Sequence, residues 1–331
     1  MSKQIGVRSE GSGVKPNRLD SLVFKALIGT DRVRNQRFVR RAWQHLYVRF
    51  ERRHRAVEIM VHGRDVVANF GYTYPLNARR FPNLNAPLVE LVHQCFSCLG
   101  RPVTFVDVGA AIGDTVLLVE SNCPQMVERY TCVDGDREFM SYLRHNLGFL
   151  GERVEFIEAQ LSRSGGPSAG LSRIHPGTAS AQAGTKVATS ALDDVLARTR
   201  TRPVDVIKVD VDGFDGQVLT GARNMLAEDR PAVIFEWHPI LCRDTENDWQ
   251  EAFSSLVSAG YANFVFFTKL GFFSHFMCGH DRKVIDRLAE YCLGDVAADM
   301  HYDVVALPPD CPVCLHSIAQ LRFAAGARSR W

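Results

Sequence analysis

Nine residues, Asp107-Val108-Gly109-Ala110-Ala111-Ile112-Gly113-Asp114-Thr115, constrain this chain more than any other stretch. Val103, Phe105, Val106 and Val108 lead into them, and Val116, Leu117, Leu118 and Val119 follow. The pattern predicts a buried strand, a glycine turn and a helix. Glycine lets the backbone bend sharply and admits a ligand where a Cβ would block it, and Gly109 is the position expected to do so. The helix start offers unpaired N–H groups and a partial positive charge. Together these make the layout of a nucleotide-type cofactor site. Taken alone, the stretch is equally compatible with a plain tight turn.

Tyr130-Thr131-Cys132-Val133 reads as the next strand and ends at Asp134, 21 residues beyond Gly113. An acid at that distance and place suits ribose hydroxyls. The glycine spacing is G-x-x-x-G, so the third glycine of a pyrophosphate cradle is missing. A ribose acid without such a cradle fits S-adenosylmethionine better than NAD. The cofactor-binding candidates are Asp107, Gly109, Ala110, Ala111, Gly113, Asp114 and Thr115 at the turn, and Asp134, Gly135 and Asp136 after the second strand. Ala159 and Gln160 beside the third strand and Asp210 complete the set.

A third block, Val204 to Asp215, runs as a buried-type strand into an acidic turn, with Val218–Ala222 continuing as helix. Pro231–Pro239 is a further strand ending in Glu236 and His238. With these motifs the chain resembles the FkbM family of S-adenosylmethionine-dependent methyltransferases. The family's Asp-Val-Gly-Ala-x-x-Gly-Asp-Thr turn is matched by residues 107–115. Its Glu-Pro-Asn-Pro step is replaced by Asp134-Gly135-Asp136-Arg137, which bears on the ribose contact. Its Ile-Lys-x-Asp-x-Glu-Gly-x-Glu block falls on residues 207–215, with Asp212 and Asp215 in place of two glutamates. Leu192-Asp193-Asp194 and Tyr302-Asp303 match two further steps, and the resemblance covers roughly residues 70–310. It implies an α/β fold: a class I methyltransferase Rossmann-like sheet, mostly parallel with an antiparallel edge hairpin. An N-terminal helical and hairpin extension precedes it.

The rest of the chain divides into an extension (1–70), the methyltransferase domain (71–310) and a C-terminal tail (311–331). Residues 1–20 read as loosely attached. Residues 33–55 read as a long helix with Val39, Trp43, Leu46 or Tyr47, and Phe50 at helical spacing. Its other side carries Arg37, Arg40, Arg41, His45, Arg49, Arg52 and Arg53, a solvated face or a dock for an anionic partner. Residues 56–69 suggest a hairpin turning at Gly63-Arg64-Asp65. The aromatic, basic segment 71–85 reads either as a loop over the cofactor cleft, with Arg79, Arg80 and Asn85 as substrate or carboxylate contacts, or equally as an ordinary packed loop. A helix over 87–99 follows it, and a helix over 137–150 and a strand over 154–161 follow the ribose acid. The Gly/Ser/Ala-rich stretch 162–186 reads as a mobile flap, because long structureless connections in compact domains are usually functional. Strands over 261–268 and 302–307 would form the edge hairpin, with a helical insertion over 282–293.

The net charge of +2 excludes a protein that binds nucleic acid over its whole surface. No apolar run approaches the roughly 20 residues of a membrane span. Met1–Lys15 lack the apolar core of a signal peptide, and nine scattered cysteines favour reduced thiols, so a cytoplasmic location is expected. The close pair Cys311 and Cys314, with His316 nearby, supplies too few ligands for a zinc site, and no metal is expected.

Methyl transfer from a sulfonium asks for in-line placement of the acceptor and removal of its proton. Ligands of open parallel sheets sit beyond the carboxyl ends of the strands. The catalytic candidates there are Lys208, Asp210, Asp212, Glu236 and His238. Strand alternation places Lys208, Asp210 and Asp212 on one side. His238 is the candidate base, because its reference pKa lies near neutrality, with a structural histidine before Pro239 as the alternative. The resemblance implies an O-methyltransferase acting on a hydroxyl of a sugar, glycan or secondary metabolite. The alternatives are an RNA or protein methyltransferase recruited by the basic helix, a NAD-dependent oxidoreductase, and a non-catalytic cofactor-binding module.

Overall fold

Within the described residues of the computed structural model (14–30, 37–53, 55–175, 178–294 and 300–322, with backbone alone at 37–39 and 167–186), the chain opens with two helices, α1 (Arg18–Thr30) and α2 (Arg37–Glu51). Asn17 caps α1 by accepting from the Asp20 N–H, and Phe24, Leu27 and Ile28 recur at helical spacing on its buried side. Residues 18–20, expected to be loose, are therefore helical. Asp20 is fully buried under Arg53 (3.1 Å) and Arg55 (3.8 Å). Of the residues assigned to the long basic helix, 33–36 and the side chains of Arg37 and Val39 lie outside the described residues.

The hairpin β1 (Ala56–Val61) and β2 (Arg64–Asn69) turns at His62-Gly63, one residue earlier than expected. Both turn residues have positive φ (49° and 79°), as the tightest hairpin turns require. Segment 71–85 is not a plain loop. It holds α3 (Tyr74–Arg80), which Pro75 helps to start, and leads into α4 (Ala86–Leu99).

Next come β3 (Val103–Val108), α5 (Asp114–Asn122), β4 (Val127–Asp134), α6 (Arg137–Leu147) and β5 (Val154–Glu158). The expected flap is then built of strand. β6 (Gln160–Leu161), β7 (Gly166–His175) and β8 (Thr178–Ser190) make a small sheet in the order β6-β8-β7. Gly, Ser and Ala give little hydropathy contrast, so the period-2 signal is faint although the backbone ladder forms from Gly166↔Thr189 onward.

The remaining elements are α7 (Leu192–Leu196), β9 (Val206–Val209), α8 (Asp215–Thr220), α9 (Arg223–Glu228), β10 (Ala232–Trp237), α10 (Pro239–Asp244) and α11 (Glu251–Ser258). β11 (Asn263–Thr268), β12 (Phe273–Cys278), α12 (Arg282–Leu293), β13 (Tyr302–Leu307) and α13 (Leu315–Gln320) complete them.

Among the described residues the main sheet runs β12-β11-β13-β10-β9-β3-β4-β5. Strands β3, β4, β5, β9 and β10 are mutually parallel, and β13 enters antiparallel between β10 and β11. This is the Rossmann-like class I methyltransferase sheet. β12 is an addition at the edge that the sequence does not announce. Most of its side chains are exposed, so no buried face imposes alternation.

The sheet divides the core in two. Phe105, Ile234 and Val305 face α1, α4 and the hairpin, while Val106, Val233 and Val304 face α8, α9, α11 and α12. The extension thus shares a core with the sheet. Residues 311–322 also pack, with Val313 and Ile318 buried against α4. There Cys95 and Cys98, a second pair at the spacing of Cys311 and Cys314, face the C-terminal segment, and Cys98 Sγ lies 3.6 Å from the Pro312 carbonyl. Among the described residues no three His, Cys, Asp or Glu side chains are arranged to hold a metal ion.

Candidate active site

At the carboxyl edge of the parallel strands lies a cavity of about 410 Å³. One end is built from the glycine turn. The Gly109 and Ala110 N–H groups donate to the Val133 carbonyl (2.9 and 3.2 Å), stitching the turn to the end of β4. Gly109 has φ +80°, and a Cβ there would lie 1.8 Å from the Asp210 carbonyl oxygen. The neighbouring chain therefore demands glycine there, independently of any ligand approaching the turn. Gly113 is likewise a packing glycine, since a Cβ would meet Leu147 at 2.8 Å.

Asp134 braces this end. Its Oδ2 accepts from the Ala111 N–H and its Oδ1 from the Asp136 N–H, both at 2.8 Å. Asp136 in turn caps α6, accepting from the Glu138 and Phe139 N–H groups. Asp114 accepts from the Tyr72 hydroxyl at 3.0 Å. Burial pushes its carboxyl up to about 6, against the pull of Lys208 and of the Tyr72 hydrogen bond.

The other end is assembled from β9, β10 and β13. Lys208 Nζ donates to Asp210 Oδ2 at 2.8 Å. Burial disfavours both charges, but their mutual attraction prevails: the lysine is pushed up and Asp210 is held below the usual carboxylate range. Asp107 stands beside Lys208 in register. Both its oxygens are buried without a hydrogen bond among the described residues, and burial pushes it up to about 7 while the lysine pulls it down. Glu236 pairs in register with Asp303 across the β10–β13 ladder. Its Oε1 lies 3.2 Å from His301 Nε2, and its buried Oε2 makes no hydrogen bond among the described residues. Burial, then the charges of Asp210 and Asp212, push Glu236 well above the carboxylate range. Asp303 is pushed up to about 7 by burial and by Asp210.

Residues 107–262 match the methyltransferase FkbM domain. The chain carries an FkbM methyltransferase domain. The match marks residues 107–262 as a methyltransferase domain. Among solved structures it is similar to the methyltransferase FkbM of Methylobacillus flagellatus KT, at 18% identity and a TM-score of 0.33. That likeness covers 41% of this chain and only 33% of the other. It is also similar to an O-methyltransferase from Bacillus cereus in complex with SAH, at 14% identity over 71% of this chain and 88% of that one, with a TM-score of 0.39. A third likeness is to a precorrin-6y C5,15-methyltransferase from Geobacter metallireducens, at 12% identity over 66% and 88%, with a TM-score of 0.34. No curated protein matches the sequence. The fold assignment rests on strand order, not on these distant likenesses.

The FkbM domain brings most of the expected residues to one cavity. Gly109, Ala111, Asp114, Thr115, Asp134, Gly135, Asp136, Ala159, Gln160 and Asp210 line it, as do Lys208, Asp212 and Glu236. Asp107, Ala110 and Gly113 stand behind the wall. β9 ends at Val209 and Asp212 has φ +52°, so strand alternation does not carry Asp212 to the side of Lys208; a turn does. Asp215 accepts from the Gly213 N–H and holds that turn. His238 is not in the wall. It caps α10 through Nδ1, which accepts from the Leu241 N–H, and it stacks on His301 at 4.4 Å. Asn85 lines the cavity, and Arg79 and Arg80 do not.

His301, Lys269, Tyr72 and Tyr74 line the cavity without having been singled out as site residues. His301 had a findable signal. β13 runs antiparallel, so its first residues, not its last, lie at the carboxyl edge of β10.

Proposed function

We propose that the protein transfers a methyl group from S-adenosylmethionine to a hydroxyl of a sugar, glycan or secondary metabolite. The observation that carries this reading is the acid-rich cavity wall: seven carboxyls (Asp114, Asp134, Asp136, Asp210, Asp212, Glu236, Asp303), of which burial holds Asp114, Glu236 and Asp303 above the usual carboxylate range, against Lys208 and Lys269. A cationic sulfonium is favoured there, and the dinucleotide pyrophosphate of NAD is not. Asp134, Gly135 and the Ala159–Gln160 backbone would hold the ribose end, with Thr115 and the glycine turn below it. When bound, S-adenosylmethionine supplies a methyl group already activated for displacement.

The protein's own task is to place the acceptor and to take up its proton. Environments that push neighbouring carboxyls apart mark acid and base roles. Asp210, kept ionised by Lys208, is the strand-end carboxylate able to accept a proton or a hydroxyl hydrogen bond. Glu236, pushed well above the carboxylate range by burial, holds a proton more readily than Asp210 and is the candidate donor toward the acceptor oxygens. His238 acts from behind, fixing the ring of His301 by stacking and the start of α10 by capping. The reading is tested by incubating the full chain with methyl-labelled S-adenosylmethionine and pools of sugars, glycans and RNA. Label on an oxygen of a polyol supports it, whereas label on RNA or on an amine overturns it.

A further inference from the structure

We infer that the outer face of α2 is a docking surface for an anionic phospholipid membrane. The inference is independent of the methyl-transfer reading, because α2 contributes no residue to the cavity wall. Projected at 100° per residue, Trp43, Tyr47 and Phe50 share the inward side. Trp43 and Phe50 are buried, and Trp43 donates to the Leu27 carbonyl at 2.9 Å. Arg41, His45, Val48 and Arg49 lie on the opposite side within an arc of roughly 100°. Arg52 continues the same stripe past the helix end.

Arg40, Arg41, Arg49 and Arg52 are exposed, and none forms an ion pair with another described residue. Arg53 and Arg55, by contrast, are engaged with Asp20. The whole chain carries only +2, so this is a local positive field and not a general excess of cations.

The field alone would suit any polyanion. Exposed aliphatic side chains on the two N-terminal helices, with Val48 inside the arginine arc, favour a bilayer. Leu46 and Val48 are 41% and 42% exposed on α2, and Leu19 and Leu22 on neighbouring α1 are 61% and 67% exposed. Aliphatic side chains gain by entering the headgroup boundary and gain nothing from nucleic-acid phosphates. Single-stranded nucleic-acid surfaces instead interleave their cations with aromatic stacking platforms. Here Trp43, Tyr47 and Phe50, the aromatics of α2 whose side chains are described, point inward. Among the described residues no helix is long and apolar enough to cross a membrane, so the contact is peripheral and reversible.

The test uses the full chain and sedimentation with vesicles of phosphatidylcholine mixed with phosphatidylserine, against pure phosphatidylcholine, at low and high salt. The expected result is binding to the mixed vesicles alone, lost at high salt. Replacing Arg41, Arg49 and Arg52 together by alanine is expected to lower the partition about a hundredfold, taking about 1 kcal/mol for each arginine at an anionic surface. Leu46→Ser with Val48→Ser should weaken vesicle binding severalfold and leave retention on heparin unchanged. Should the triple variant fail to fold, the salt dependence and the Leu46/Val48 pair still decide the matter. Failure of the wild type to bind mixed vesicles, or serine variants that bind like wild type while an RNA hairpin competes, would overturn the inference.

Discussion

The two ends of the cavity are built on opposite principles. At the glycine-turn end every acid is tied to nearby chain: Asp134 to the Ala111 and Asp136 N–H groups, Asp136 to the first turn of α6, Asp114 to Tyr72. At the strand-end side the acids come from three strands and face one another across Lys208. There Glu236 keeps a buried oxygen with no hydrogen bond among the described residues, and so does Asp107 behind the wall. The first arrangement fixes shape. The second stores electrostatic tension, the usual mark of a site built to move protons.

If the turn end is a rigid scaffold, breaking it should cost the fold and not only the ligand. Gly109→Val would force a Cβ onto the Asp210 carbonyl in a left-handed backbone. We expect a loss of at least about 3 kcal/mol, read as a large fall in melting temperature or as insoluble protein. A soluble variant that melts like wild type but no longer binds cofactor would return Gly109 to the role of a ligand-facing glycine.

If the strand end stores tension, stability should depend on pH. Asp107 is raised to about 7 and Asp303 to about 7, both above their unfolded value near 4. The folded state then binds more protons between about pH 4 and pH 7, so stability falls as pH rises through that window. For Asp107 the full shift corresponds to roughly 4 kcal/mol at most. Asp107→Asn should flatten the fall of melting temperature over this range. A wild-type stability that rises from pH 4 to pH 7 would contradict the assignment of raised carboxyls.

Asp134 offers a smaller, sharper contrast with Glu236. Asp134→Ala should weaken binding of S-adenosylhomocysteine by roughly 1.5–3 kcal/mol, the scale of a hydrogen bond to a charged group. Glu236→Gln should leave that affinity within a few-fold, because Glu236 belongs to the acceptor side. Calorimetric titration of the two variants checks both values. Equal losses would erase the division of the cavity into two ends.

The same contrast explains what the sequence makes legible. The turn end is written in consecutive residues, so strand, glycine turn, helix and the acid closing β4 can all be read from Asp107 to Asp136. The strand end is assembled from positions nearly a hundred residues apart, and two physical details hide it. An antiparallel strand brings its first residues to the carboxyl edge, which places His301 there and leaves His238 as a cap. A left-handed residue after β9 breaks the alternation that links Lys208 to Asp212. The small sheet β6-β8-β7 is hidden for a third reason, because glycine, serine and alanine carry no hydropathy rhythm.

The central claim is that the cavity over the glycine turn takes an S-adenosyl group. Calorimetry of the full chain, titrated separately with S-adenosylhomocysteine and with NADH, tests it most directly. The account predicts micromolar binding of S-adenosylhomocysteine, weakened in Asp134→Ala, and no heat with NADH. Binding of NADH without S-adenosylhomocysteine would contradict it.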